Sequence, residues 1–220
     1  MRSLLTAIVS GSLLMAAFAT DTQAANILAY DSAAGTSLPP SIQGTGVTGD
    51  NLARGPGLNS ASGSSFNSNN WTVDGTLADA IINQDFLSWG FTSTTPYDLD
   101  RLSIRYDRSP TGPSEIAIQA SFNGGPFATI FTDDSVSASG ETQLINLFGP
   151  PSVSSAQFRL YGFQADGTTG TFDIEPDGNF VGSADLLITG SIIPEPSRTM
   201  LVGLAGLAAL LHRRRIWHQH

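Results

Sequence analysis

Short apolar runs separated by turn residues fill the sequence between residues 25 and 190. Side chains of a strand point alternately to its two faces, so alternating polar and apolar positions predict strands. In Glu115–Phe122, for example, Ile116, Ile118 and Ala120 share one face. The same pattern predicts further strands at Asn26–Tyr30, Asp85–Thr92, Asp100–Tyr106, Phe127–Thr132, Thr142–Phe148, Ala156–Phe163, Gly170–Ile174 and Ala184–Ser191.

Turn residues connect the predicted strands. Asn123-Gly124-Gly125 predicts a hairpin, because Asn and Gly accept positive φ, and Pro110-Thr111-Gly112-Pro113 predicts a longer loop. Gly75–Asn83 is compatible with one helical turn or with a short strand. The fold prediction is all-β: a two-sheet antiparallel β-sandwich, jelly-roll-like, with one domain over residues 25–190.

The first residues have the pattern of a secretory signal peptide. Arg2 precedes an apolar run from Leu4 to Phe18, and small residues follow at Ala19 and Ala24. Cleavage after either alanine satisfies the preference for small residues, and we assign residues 1–24 to the signal. An uncleaved N-terminal anchor is the alternative that the pattern leaves open.

The C-terminal apolar run is short for a membrane span. Its thirteen residues, Thr199 to Leu211, form a helix of about 20 Å, against about 30 Å of bilayer hydrocarbon. Arg213-Arg214-Arg215 follows, and positive charge stays cytoplasmic, so a marginal span would leave the body outside the inner membrane. A buried helix in a soluble protein is the alternative. Before the run, Pro194-Glu195-Pro196 predicts an extended segment that a processing enzyme can grip.

Together, Ile193 to Ser197, the short apolar run and the three arginines resemble the PEP-CTERM sorting signal of exported Gram-negative proteins, although IWHQH is a slightly long tail. The resemblance implies recognition by exosortase, a membrane transpeptidase-like enzyme, followed by release to the cell surface or the extracellular space. It places the sorting signal at residues 191–215 and a cytoplasmic tail at 216–220. The implied sorting residues are Pro194, Glu195, Pro196, Ser197, Arg213, Arg214 and Arg215.

The body is also similar to a group of exported β-sandwich domains that precede this signal. The resemblance supports the fold and implies no activity. The segments that carry it are residues 27–31, 51–58, 70–71, 108–113 and 158–162.

Composition excludes several kinds of chemistry. Between residues 25 and 193 there are five Arg against seventeen Asp plus Glu, a formal net charge of −12, which opposes nucleic acid binding. The chain has no cysteine, and its histidines, His212, His218 and His220, lie in the C-terminal tail. The body therefore lacks a thiol nucleophile and an imidazole base, and only carboxylates remain for acid–base chemistry.

One acidic stretch suggests a metal site. Residues 173–179 have acidic side chains at positions 1, 3 and 5 and glycine at position 6, a spacing similar to a calcium-binding loop. Position 12 is Ala184 instead of Glu, so a true EF-hand is not expected. We predict either a non-helical calcium site or a polar turn. The candidate ligands are Asp173, Glu175, Asp177 and Asn179.

Exposed aromatics can bind glycans. Trp89 alternates with Leu87 and Phe91 and is predicted to lie in the core, whereas Trp71 in its polar context is the predicted surface contact for a glycan. A carboxylate-dependent hydrolase would need two carboxylates placed across the scissile bond, and Asp98 with Asp100, or Asp133 with Asp134, provide no sequence evidence of this.

These observations predict a non-enzymatic exported surface or matrix protein, with no cofactor apart from calcium as an option. Its partners would be an exosortase-like enzyme, the inner membrane before processing, and extracellular polysaccharide. The body is predicted to be structural or adhesive. A glycan-binding module is the first alternative, and a carboxylate-dependent hydrolase is the second.

Overall fold

The computed structural model describes residues 24–31, 34–63, 65–147, 149–175 and 184–193. Fourteen strands and one short helix form this part of the chain, which confirms the all-β prediction. No helix in the described ranges is long and apolar enough to cross a membrane. The predicted signal helix and C-terminal transmembrane helix lie outside these ranges.

In chain order the elements are β1 (Ala25–Tyr30), β2 (Ser37–Leu38), β3 (Ile42–Gln43), β4 (Val47–Gly49), β5 (Leu52–Arg54), β6 (Asn59–Ser60), β7 (Phe66–Asn69), α1 (Leu77–Asn83), β8 (Phe86–Arg108), β9 (Glu115–Phe122), β10 (Ala128–Asp133), β11 (Glu141–Asn146), β12 (Val153–Phe163), β13 (Phe172–Ile174) and β14 (Leu186–Ile192).

The 23-residue strand β8 connects two antiparallel layers. Its first half pairs with β12 on one edge and with β4 and β5 on the other, and β9 and β10 continue beyond β12. This set is called layer 1. The second half of β8 pairs with β11 on one edge and with β14 on the other, and β1 and β3 continue beyond β14. This set is layer 2, and β13, β7 and β6 pair beside the end of β8. The arrangement agrees with the predicted sandwich, and its jelly-roll connectivity stays a prediction.

Strand β8 corresponds to two predicted strands, Asp85–Thr92 and Asp100–Tyr106. Odd-numbered residues such as Trp89 are buried in its first half, whereas even-numbered residues such as Ile104 are buried in its second half. The register shifts where β8 meets β14 near Leu99, a bulge that exchanges the two faces of the strand. The alternation of buried and exposed positions is therefore interrupted near Leu99, although the strand continues through this point.

Both layers contribute to one hydrophobic cluster. Trp89 of β8 is 1% exposed and stacks on Phe158 of β12 with ring centroids 5.6 Å apart, which confirms that Trp89 is a core residue. Phe158 also meets the edge of Phe122. Leu102 and Ile188 enter the same cluster from layer 2. Burial of these side chains is the main force that holds the layers together.

Helix α1 covers one end of the outer face of layer 1. Thr76 caps it: the Thr76 hydroxyl accepts from the Asp79 backbone N–H, and the Asp79 carboxylate accepts from the Thr76 backbone N–H. Ala80 of the helix packs against Tyr161 and Phe163 of β12. Of the segment Gly75–Asn83, residues 77–83 are thus helical, because the capping box satisfies the first N–H groups of the helix.

The hairpin prediction is confirmed. Strands β9 and β10 pair antiparallel, and Asn123 and Gly124 between them have φ of 51° and 73°. By contrast, β2 to β7 were not predicted. They have two to four residues each, which is too short for alternation to emerge.

Candidate functional site

A cleft of about 380 Å³ opens between the chain after β7 and the end of α1. This volume lies within the range of about 300–1,000 Å³ that is typical of small-ligand sites. Polar residues dominate its lining, and none of the lining residues in the described part of the chain is a lysine or an arginine. The lining residues are Gly57, Asn70, Trp71, Thr72, Val73, Asn83, Asp85 and Thr168.

Asp85 is the charged residue of the cleft and is only 3% exposed. The Thr72 hydroxyl donates to Asp85 Oδ2 at 2.5 Å, and Asn83 Nδ2 donates to Thr72 Oγ1 at 3.1 Å. Burial raises the pKa of Asp85, while its hydrogen bonds with Thr72 and Asn83 act in the opposite direction. The backbone N–H of Asp85 donates to Ala80 O, so the end of α1 holds this hydrogen-bonded group in position.

Trp71 borders the cleft but is not a surface residue. It is 1% exposed, its Nε1 donates to Ser68 O at 2.9 Å, and its ring meets Phe172 edge-on with centroids 5.5 Å apart. A Cβ at Gly162 would lie 2.6 Å from the indole, so glycine there is needed for this packing. The prediction that Trp71 is exposed is wrong, because three strands enclose it. Contact with a glycan through the part that borders the cleft stays a prediction.

Backbone geometry shapes the opposite wall. Asn70 has φ of 69° and donates through Nδ2 to Gly57 O at 2.7 Å. A Cβ at Gly57 would collide with Asp85 Oδ1 and with Asn83 O. The wall therefore depends on a glycine at position 57 and on the left-handed backbone at Asn70. The sequence did not reveal Asp85, Asn83 or Gly57, since only the chain path brings them to Trp71.

Three carboxyl groups form an acidic cluster at the end of β8. Oxygen atoms of Asp107, Asp173 and Glu175 all lie within 4.8 Å of one another. Asp107 on β8 and Asp173 on β13 are direct cross-strand partners. Burial, followed by hydrogen bonds and charge repulsion from Asp173 and Glu175, raises the pKa of Asp107 to about 8. In its protonated form Asp107 can donate to its neighbours, which relieves the repulsion.

The acidic cluster provides a partial ligand set for calcium. Carboxylate oxygens are the ligands that Ca²⁺ prefers, and it takes about 6–8 of them. However, Arg105 Nη2 lies 3.3 Å from Glu175 Oε2, and the Ser65 hydroxyl donates to Asp173 Oδ2. The structure brings Asp173 and Glu175 together as predicted and adds Asp107. The other two predicted ligands, Asp177 and Asn179, lie outside the described residues.

The carboxylates considered for hydrolysis have structural partners. Asp133 accepts from the Tyr106 hydroxyl at 2.8 Å and from the Ser135 backbone N–H at 2.9 Å. Asp98 accepts from the Ser152 backbone N–H at 3.2 Å. Neither Asp98 nor Asp133 lines the cleft.

The predicted sorting residues, Pro194 to Ser197 and Arg213 to Arg215, lie outside the described residues. The body, however, reaches almost to them. Strand β14 ends at Ile192, beyond the predicted boundary at residue 190, and the Ile193 N–H donates to Pro96 O at 3.1 Å.

A scan against protein-family models and a search of curated proteins find no match. Among solved structures, a mutant family 29 carbohydrate-binding module complexed with mannohexaose is 11% identical with a TM-score of 0.42, and the match covers 77% of this chain and 92% of that one. A second family 29 module is 12% identical with a TM-score of 0.40, covering 77% and 87%. TM-scores this low do not establish a shared fold.

Proposed function

We propose that the body is a glycan-binding module of an exported surface or matrix protein. The observation that carries the proposal is the polar cleft beside Trp71. Asparagine, threonine and aspartate side chains converge there on a space of ligand size, and sugar hydroxyls need such donors and acceptors. Val73, which is 37% exposed, adds apolar surface for the carbon face of a sugar ring.

The proposed role is binding without hydrolysis. Among the described residues that line the cleft, Asp85 is the one carboxylate, and glycoside hydrolysis generally uses two carboxylates that flank the bond. The Thr72 hydroxyl donates a hydrogen bond to Asp85, so the Asp85 carboxylate acts as an acceptor in the cleft. A bound hydroxyl could then donate to Asp85 while Asn83 and Thr168 provide further hydrogen bonds.

Substitution of Asn83 tests this site. With the full-length chain on a glycan array and then by calorimetry, Asn83→Ala should weaken binding of the selected glycan about tenfold, since one hydrogen bond to a ligand contributes about 1.5 kcal/mol. Asn146→Ala, an exposed asparagine on β11, is the matched control and should leave affinity unchanged. Equal affinity in all three proteins would show that the glycan does not bind in the cleft.

We propose in addition that the C-terminus is a sorting signal processed by an exosortase-like membrane enzyme. The supporting observations are in the sequence: the signal-peptide pattern, the Pro-Glu-Pro motif, the thirteen-residue apolar run and the arginines. Mass spectrometry of both termini from the native host should find a C-terminus near Pro194 to Ser197. A tail intact through His220 would instead show that the apolar run is retained.

A further inference from the structure

Arg159 of β12 is held on the outer face of layer 1 by aromatic rings. Its guanidinium carbon lies 4.2 Å from the ring centroid of Phe127 and 4.8 Å from that of Phe86. Nη1 is 3.4 Å from the Tyr161 hydroxyl, a long hydrogen bond. The Phe86 ring is in turn fixed edge-on against Tyr161, with centroids 5.5 Å apart. Arg159 is thus held in place by contact with two aromatic rings, which restrains its guanidinium group.

The partners of Arg159 differ from those of other arginines in the body. Arg54 donates to three backbone carbonyls and to the Ser68 hydroxyl. Arg108 donates to Val136 O and to Pro110 O in the loop after β8, and Arg105 pairs with Glu175. Within the described ranges, Arg159 has neither a carbonyl nor a carboxylate partner. A guanidinium has five N–H donors, so most of its hydrogen-bonding capacity remains for a ligand.

Polar side chains surround this guanidinium on the same face. Arg159 is the cross-strand partner of Ser88 on β8 and of Gln119 on β9. Helix α1 covers the Tyr161 end of the face, whereas Gln157, at the other end, is exposed and donates to Asp50 Oδ2 at 2.6 Å. The uncovered part is therefore a patch with one cation, two phenyl rings and several hydrogen-bonding groups.

We propose that this patch binds the carboxylate of an acidic sugar, a hexuronate residue within an oligosaccharide. The planar guanidinium matches a carboxylate in a two-hydrogen-bond geometry. Gln119 and Ser88 lie on either side of Arg159 to meet ring hydroxyls, and the Phe127 ring offers apolar surface to the carbon face of the sugar. None of these residues lines the cleft, so this site is separate from the one proposed above.

The net negative charge of the body determines the conditions for this binding. A formal charge of −12 repels an acidic polymer at long range. At physiological salt, charges more than about 8 Å apart are largely screened, and the contact with Arg159 then decides the outcome. Binding is therefore expected for short acidic oligosaccharides at moderate salt.

The test is calorimetry of the full-length chain with trigalacturonate, using its methyl ester as the neutral partner and acetate as the simple carboxylate. The acid should bind saturably and the ester at least about tenfold more weakly, a loss typical of one charged hydrogen-bonded contact. Arg159→Gln should reduce affinity for the acid to that for the ester, and Arg159→Lys should restore only part of it. Arg101→Gln, an exposed arginine on layer 2, should bind as the unsubstituted chain does.

A second variant keeps the test valid if Arg159→Gln loses its fold, which circular dichroism would show. Gln119→Glu places a carboxylate beside Arg159 and should block the site while retaining the strand. Equal binding of acid and ester, absence of saturable binding at millimolar concentrations, or displacement by equimolar acetate would each overturn the proposal. Asn83→Ala, which removes a cleft contact, should leave binding of trigalacturonate intact.

Discussion

Among single residues, Asp107 shows how a cross-strand partner changes chemistry. Strand pairing places its carboxyl opposite Asp173, with Glu175 close by and Arg105 engaged by Glu175. Like charges directly opposite each other destabilise a sheet unless one is neutral. The pKa of Asp107 is raised from the ordinary 3.8 to about 8, so Asp107 is the neutral member of this pair at pH 7.

This shift predicts a pH dependence of stability when no metal is present. Between about pH 4 and pH 8 the unfolded chain loses the Asp107 proton while the folded chain keeps it, so the free energy of unfolding falls as pH rises. Asp107→Asn cannot ionise, so at pH 8 it should be more stable than the unsubstituted chain by about 1 kcal/mol. This value is reduced because Asp107 is partly exposed. At pH 4 the two proteins should be almost equally stable. Urea unfolding in EDTA measures both.

Asp134→Asn, at an exposed carboxylate outside the cluster, is the control and should show no such trend. A stability difference for Asp107→Asn that is the same at pH 4 and pH 8 would show that Asp107 is not protonated in the fold.

Among elements, α1 illustrates a helix that its cap makes possible. It has seven residues, and isolated helices of this length are unstable in water. The capping box at Thr76 and the burial of Ala80 against β12 compensate for the short length. Asn83 is the last residue of α1 and Asp85 lies just beyond it, so the helix positions two of the residues that line the cleft.

Loss of the cap should therefore affect stability and the cleft together. Thr76→Ala should lower the free energy of unfolding by about 1 kcal/mol, the usual contribution of a threonine N-cap. Thr45→Ala, at an exposed turn, is the control and should change it little. Denaturant unfolding of the three proteins provides the comparison. If the cap variant unfolds at the same denaturant concentration, α1 is held by packing alone.

For the whole molecule, the acidic cluster lies where β13 joins the end of β8. A cation bound there would link elements that are far apart in the sequence, and it would bind the folded chain alone. We therefore expect calcium to raise the melting temperature at pH 8, where it would displace the proton from Asp107. Scanning calorimetry with calcium or with EDTA measures the shift, and Asp173→Asn should abolish it. An unchanged melting temperature in millimolar calcium would exclude the predicted metal site.

Predictions that depend on local signals were confirmed, whereas the prediction that depends on contacts between distant strands was wrong. Alternation in Glu115–Phe122 and the Asn-Gly turn after it were sufficient to predict strands β9 and β10, because both signals are local. The polar neighbours of Trp71 suggested exposure, yet its side chain is buried by Phe172 and by the close approach at Gly162. Local polarity cannot show which later strands will cover a residue.

Local patterning and composition were thus enough to establish an all-β body, its hairpin and a body sequence without cysteine or histidine. These properties follow from composition and from a two-residue period, which do not depend on distant partners. The meeting of Asp107 with Asp173, the cleft around Asp85 and the ring-supported guanidinium of Arg159 required the folded arrangement. Each is created by register between strands or by a helix end brought against a distant loop, and such contacts are selected by burial of the shared core rather than by neighbouring residues.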